Sequence, residues 1–315
     1  MKRRFFIIIW ILIFAMAFPV KAEPIRWVDF KVPYESLKCA MDVDIATSEQ
    51  EKHISWIDIL ALSACRTGGK CGLSSVKKAV QELKEDASPE ELLGNLYRYY
   101  PYYYNSFNAA LGGLLGSYAI EVDGQWTPTY GLKAFSPIAA GYGYSHSDDF
   151  GNARSFGFKR KHLGHDMMGG QGTPIVAVEG GVVEAMGWNR YGGWRIGIRS
   201  FDGRRYYYYA HLQKDHPFAD GLAEGDIVNA GDIIGFMGRT GYSDKENTNN
   251  IETVHLHFGM QLIFDESQKE CLSEIWIDVY DIVRLLHSHR SSVQKNGSGW
   301  QRVYPFVDLD ILSLS

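Results

Sequence analysis

Val254-His-Leu-His-Phe-Gly-Met-Gln-Leu-Ile-Phe264 decides how this chain is read, because its residues alternate in polarity with a period of two. Val254, Leu256, Phe258, Met260, Leu262 and Phe264 fall on one face of a strand, and His255, His257, Gly259 and Gln261 on the other. Two imidazoles therefore project together from the side away from the core. A His-x-His strand can offer one nitrogen to a metal and keep a second imidazole beside it, as hydrolytic zinc sites do. The ordinary alternative is a pair of half-buried strand histidines.

Complementary chemistry lies upstream. His162-Leu-Gly-His-Asp166 precedes the strand-like run Pro174-Ile-Val-Ala-Val178 and supplies a histidine and a carboxylate at even spacing. In an extended stretch that spacing puts His162 and Asp166 on one side and His165 on the other. Gly164 disfavours a helix and could add a bulge that shifts the parity, so His162 is preferred to His165 as a ligand without being fixed. Arg205-Tyr-Tyr-Tyr-Tyr-Ala-His211-Leu alternates too, with Tyr207, Tyr209 and His211 on one face and Tyr206, Tyr208 and Leu212 on the other. His211 is then expected at a strand end.

His162-x-x-x-Asp166, Tyr209-Ala-His211-Leu and His255-x-His257-Phe, in that order, resemble the lysostaphin-type (LytM-like, M23) zinc metallopeptidases of bacterial cell walls. Gly172-Thr-Pro-Ile-Val-Ala-Val-Glu-Gly-Gly-Val-Val183 is similar to the family's Gly-Thr-Pro-Val-x-Ala-x-x-Gly-x-Val stretch. Gly225-Asp-x-Val-x-x-Gly231-x-x-Ile-Gly235-x-x-Gly238-x-Thr-Gly241 resembles its glycine-punctuated segment before the last histidine pair. The resemblance covers residues 136–265. It implies that His162, Asp166 and His257 bind Zn2+ through two nitrogens and one oxygen, leaving a fourth position open for water or substrate. It also implies that His211 and His255 act without binding the metal, one as general base and the other as hydrogen-bond donor to the transition state, in either order.

The chain departs from the family pattern in three places. Asn247-Thr-Asn-Asn-Ile-Glu-Thr253 is inserted before the last motif, Gly259 stands where the family commonly has Glu, and His165 occupies a position that is usually apolar. The insertion reads as a polar loop beside the cleft, and His165 as a supporting or surface histidine, the three-ligand set being complete.

Around this region the chain divides into residues 1–22, a secretory signal; 23–134, a helical part of unassigned role; 135–265, the peptidase-like domain; and 266–315, an extension with one helix. The signal reading rests on Met1-Lys-Arg-Arg4, the apolar run from Phe5 to Phe18 and the small-residue end at Ala22, with retention as an uncleaved anchor as the alternative. Helical signals in the second part are Ser48-x-x-Glu51 ahead of Ile54, Ile57, Leu60 and Ala61, and Ser88-Pro-Glu-Glu91, a capping box with a first-turn proline. The tyrosines from Tyr97 to Tyr104 read as core and helix-end packing or as a sugar platform. Gly124-Gln-Trp-Thr-Pro-Thr-Tyr-Gly131 reads as a short, aromatic connection, so the two parts are expected to pack together, with the insertion as a point of contact. A chain beginning near Phe135 is expected to fold and to cleave walls differently.

From Phe135 on, short strands and glycine turns predict an antiparallel, mostly-β sandwich with the metal in a groove on one sheet. Glu274 to Leu286 reads as an amphipathic helix, with His287 and His289 as exposed cations at its end. The fold class is α+β: a helical N-terminal region, an antiparallel mostly-β LytM-like catalytic domain and a C-terminal helix.

With 315 residues, 45% of them hydrophobic, the chain can bury a sizeable core, and its net charge of -5 gives no case for nucleic-acid binding. Cys39, Cys65, Cys71 and Cys271 read as a local Cys65–Cys71 disulfide or as unpaired buried thiols. The resulting expectation is a secreted or wall-associated, extracytoplasmic zinc endopeptidase acting on peptidoglycan stem or cross-bridge peptides. Its alternatives are a LytM-like module that binds cell wall or regulates another hydrolase without catalysis, and a binding protein that works through its N-terminal part.

Overall fold

The computed structural model describes residues 24–85, 87–269, 273–297 and 299–310. The proposed signal, residues 1–22, and Cys271 lie outside the described residues. The chain opens with helices α1 (Tyr34–Thr47), α2 (Trp56–Thr67), α3 (Leu73–Lys84), the short α4 (Pro89–Leu93) and α5 (Tyr100–Leu111). The capping box at Ser88 and Glu91 is formed as expected. The helix expected to open at Ser48 starts later, because Ser55 caps it by accepting from the Ile57 N–H while Ser48 closes α1. Asp44 and Thr47 hold the intervening turn by accepting from the Trp56 and Ile54 N–H groups. Cys65 and Cys71 are free buried thiols and not a disulfide; burial pushes the Cys65 thiol up to about 11 and Cys71 up to about 12.

The helical expectation over 23–134 ends at Leu111. Strands β1 (Leu115–Val122) and β2 (Gln125–Leu132) follow as a hairpin, so the segment read as a connection, Gly124–Gly131, is mostly strand. Asp123 and Gly124 both have positive φ, 51° and 77°, as a two-residue hairpin turn requires.

The site-bearing part begins with β3 (Tyr144–His146), β4 (Ala153–Arg154), β5 (Arg160–Lys161), β6 (His165–Gly169) and β7 (Pro174–Val176). Next come β8 (Gly181–Asn189), β9 (Gly193–Ser200), β10 (Arg205–Ala210), β11 (Ile227–Val228), β12 (Ile233–Phe236) and β13 (His255–Leu262). β13 lies in the middle of an antiparallel sheet ordered β11-β8-β9-β10-β13-β6-β3. Leu256, Phe258, Met260 and Leu262 are fully buried on its core face, as the alternation requires. β7 and β12 pair as a second small sheet, and Ile175 and Ile234 join the same hydrophobic cluster as Ile196, Tyr209 and Phe258 of the large one.

The last elements are β14 (Ile275–Ile277), α6 (Tyr280–Leu286), β15 (Val293–Asn296), β16 (Gly299–Arg302) and β17 (Phe306–Asp308). The helix expected from Glu274 is therefore shorter. Ile275 and Ile277 bury with strand period against β13, and Asp278 starts the helix by accepting from the Tyr280 N–H. His289 is not an exposed cation: it stacks on Phe135 at 4.5 Å, its Nδ1 lies 2.6 Å from the Ala134 carbonyl, and burial lowers its pKa. β17 pairs back onto β1, and Lys133 ties the two by pairing with Asp308 and Asp310 at 2.9 Å.

Candidate active site

Pairing of β13 with β6 sets the geometry. His257 stands opposite Asp166, so both side chains leave the sheet on its polar face, whereas His165 stands opposite the buried Phe258. His162 arrives from the turn between β5 and β6. Gly164 is required in that turn, because a Cβ there would lie 2.5 Å from Cε1 of His257 and 2.9 Å from the Phe258 carbonyl oxygen.

Three donor atoms converge. Nε2 of His162 is 2.8 Å from Nδ1 of His257 and 3.0 Å from Oδ1 of Asp166, and His257 Nδ1 is 3.0 Å from the same oxygen. Tetrahedral coordination with bonds of about 2.0–2.1 Å separates donors by about 3.3 Å, so this N2O set fits one cation after a small expansion. Two of the remaining polar atoms of the set are committed elsewhere. His162 Nδ1 lies 3.1 Å from both the carbonyl and a carboxylate oxygen of Asp149, and Arg154 donates to Oδ2 of Asp166 at 2.9 Å. Such outer contacts fix ring tautomer and carboxylate orientation.

The charge state follows from the same contacts. Burial would raise the Asp166 carboxyl, but hydrogen bonds from His162 and His257 hold it well below the usual carboxylate range. Burial lowers His162, yet Asp149 and Asp166 outweigh it and raise the imidazole to about 9. Burial lowers His257 despite Asp166.

His211 and His255 stand beside this triad. Their rings are 4.7 Å apart, and that of His211 is 5.8 Å from that of His257. Alternation along β10 puts His211 with Tyr207 and Tyr209, which are fully buried in the core. The strand ends at Ala210, and His211 takes φ 62°, turning its ring to the polar face. Nδ1 of His211 lies 2.9 Å from the Thr240 carbonyl, and Nδ1 of His255 lies 2.9 Å from that of Thr253. A carbonyl only accepts, so each ring carries its proton on Nδ1 and presents a bare Nε2. Burial, with the charges of His255 and His257, pushes His211 well below its ordinary value.

All five residues read from the sequence therefore meet in one place, a cleft of about 450 Å3 walled also by Tyr208, Tyr242 and Trp276. His165 stays outside it, with Nε2 2.8 Å from Nδ1 of His146. Sequence reasoning missed Asp149, Arg154, Thr240 and Thr253, the residues that orient the histidines and Asp166. They sit in loops and in the short β4, where no periodicity marks them. The insertion Asn247–Thr253 borders the cleft without lining it; Asn250 donates to the Tyr242 carbonyl at 2.7 Å, and Asn247 accepts from the Trp194 indole at 2.9 Å.

The model of Peptidase family M23 matches residues 160–269. An L-Ala--D-Glu endopeptidase of Bacillus subtilis is 42% identical over 130 residues, covering 41% of this chain and 38% of that protein. Lysostaphin of Staphylococcus staphylolyticus is 39% identical over 98 residues, 31% of this chain and 18% of that protein. The chain thus spans well under half the length of either relative. Among solved structures, a lytM chain of Ruminococcus gnavus is superposable with a TM-score of 0.51 at 23% identity, over 82% of this chain and 97% of that one, a likeness of fold. Converging donors, flanking imidazoles and matched sequence coincide in one segment, residues 160–269, which matches the model of peptidase family M23.

Proposed function

We propose that this protein is a zinc-dependent endopeptidase that hydrolyses peptide bonds of bacterial peptidoglycan outside the cytoplasm. The observation that carries the reading is the convergence of His162 Nε2, Asp166 Oδ1 and His257 Nδ1 beside two imidazoles with bare Nε2 atoms. His162, Asp166 and His257 hold the metal, which when bound supplies a Lewis acid and a water of lowered pKa. His211, neutral and buried, accepts a proton at Nε2. His255, with Nε2 3.7 Å from Asp166, is the second imidazole beside the reacting bond. Tyr208 and Trp276 wall the cleft. The names of two relatives, an L-Ala--D-Glu endopeptidase and lysostaphin, support a peptide substrate of this class.

Metal analysis together with amine release from purified walls tests this reading. One zinc per chain and new amino termini are expected, and His257→Ala abolishes both. A His257→Ala protein that keeps full zinc, while His165→Ala loses it, overturns the ligand assignment. Wild-type protein loaded with zinc that releases no amine from any wall overturns the enzyme.

A further inference from the structure

The wall of the cleft on the His162 side carries a guanidinium that is held in place without a carboxylate. Arg160 Nη1 donates to the Phe156 carbonyl at 2.7 Å, and Nη2 to the Tyr242 hydroxyl at 3.3 Å. The rings of Tyr191, Tyr242 and Phe158 lie 4.9, 5.6 and 5.8 Å from its Cζ. Arg154 on the same wall is committed to Asp149 and Asp166, but Arg160 and the exposed Lys161 have no carboxylate partner among the described residues. An arginine already restrained by aromatic rings loses little freedom on binding, and its planar fork matches a carboxylate.

Two further observations concern the same cleft. Tyr242 touches both Arg160 and the site, its ring standing 6.0 Å from that of His211. Glu274, the carboxylate that lines the cleft besides Asp166, is occupied by the Trp276 indole, from which it accepts at 2.8 Å. Arg160 and Lys161, without carboxylate partners among the described residues, therefore attract an anionic group into the cleft that holds the triad.

We infer that Arg160, with Lys161 beside it, is a specificity-determining residue that seats a free carboxylate of the substrate, so that the peptide cleaved is an acidic stem peptide and not a neutral glycine bridge. This rests on the peptidase reading above. The substrate carboxylate lies in the same cleft as the scissile bond, because Arg160 and the donor triad line it together.

The test compares three synthetic peptides with the zinc-loaded full chain: an Ala-γ-Glu stem peptide, the same peptide with that carboxylate converted to carboxamide, and pentaglycine. kcat/KM is expected to favour the acid over the carboxamide by on the order of tenfold, the usual weight of one charge-assisted hydrogen bond at an accessible site. The preference should appear in KM and weaken with salt. Arg160→Gln should bring the ratio toward one, Arg160→Lys should restore part of it, and Lys161→Gln should lower it less. Calorimetry of the peptide pair on His211→Ala reads the same preference as binding alone. Equal cleavage of acid and carboxamide by the wild-type protein, or faster cleavage of pentaglycine, overturns the inference and leaves the peptidase intact. Absence of amine release from every peptide and from whole walls overturns the peptidase reading and this inference with it.

Discussion

His162 decides when the site can accept a metal. Its folded pKa, about 9, lies above the ordinary histidine value of 6.5 because Asp149 and Asp166 favour the imidazolium. In metal-free protein the protonated ring therefore contributes stability that is fully present below about 6.5 and lost as pH rises through about 9. Zinc must displace that proton, so its affinity should rise with pH up to about 9 and its binding should release close to one proton at pH 7. Calorimetry in buffers of different ionisation enthalpy measures that number; a value near zero at pH 7 removes the argument. His211 and His255 behave differently because their Nδ1 atoms are anchored to carbonyls and their Nε2 atoms complete no triad. Replacing either by Ala should lower turnover by roughly two to four decades with zinc retained. At this scale the sequence named the residues that converge but not their orientation. His211 illustrates why: strict alternation sends it into the core, and the φ of 62° that rescues it is a backbone event that no side-chain pattern encodes.

The elements that carry the donors depend on close approach at one turn. Gly164→Ala would press a methyl group against the His257 ring and the Phe258 carbonyl, and with backbone on one side the ring has to move. Zinc affinity is expected to fall by at least tenfold while β13 stays paired, checked by competitive chelation alongside circular dichroism. Unchanged affinity would mean that the turn has room the contacts deny. β10 and β13 were legible because each buries one face in the core and turns the other to the cleft, which writes a period of two into the sequence. β2 was not, since from Gln125 to Thr129 every residue is exposed and only the Asp-Gly turn before it signals a hairpin. β14 was misread because Ile275, Ile277, Ile282 and Leu286 all bury, and apolar spacing alone does not divide a strand from the helix that follows it.

Across the whole molecule the helices and the sheet share one core. A single cluster of buried side chains runs from Leu37, Leu60 and Leu111 through Leu114 to Ile198, Tyr207 and Phe258. Arg205 joins the two sides: fully buried, it pairs with Glu179 at 2.7 Å and donates to the Ala109 carbonyl of α5 at 2.7 Å. At the far end Arg284 of α6 lies over the Tyr34 ring of α1 at 4.7 Å. Among the described residues of 24–134 none lines the metal cleft, and the contacts that join this part to the sheet are those of the shared core. Arg205→Met strands Glu179 as a buried, partly unpaired carboxylate and should cost roughly 3–5 kcal/mol, read from urea unfolding. A chain beginning at Phe135 removes the acceptor carbonyls of α5 and uncovers Ile282 and Leu286 of α6, so the sequence-based expectation that it folds gives way to the opposite one. It should be insoluble, or unfold well below the full chain. The full chain should unfold in one transition, with Trp56 in α2 and Trp194 in β9 reporting the same midpoint in single-tryptophan variants. Two separated midpoints, or a truncated chain with the full chain's urea midpoint, would show that the shared core does not couple the parts.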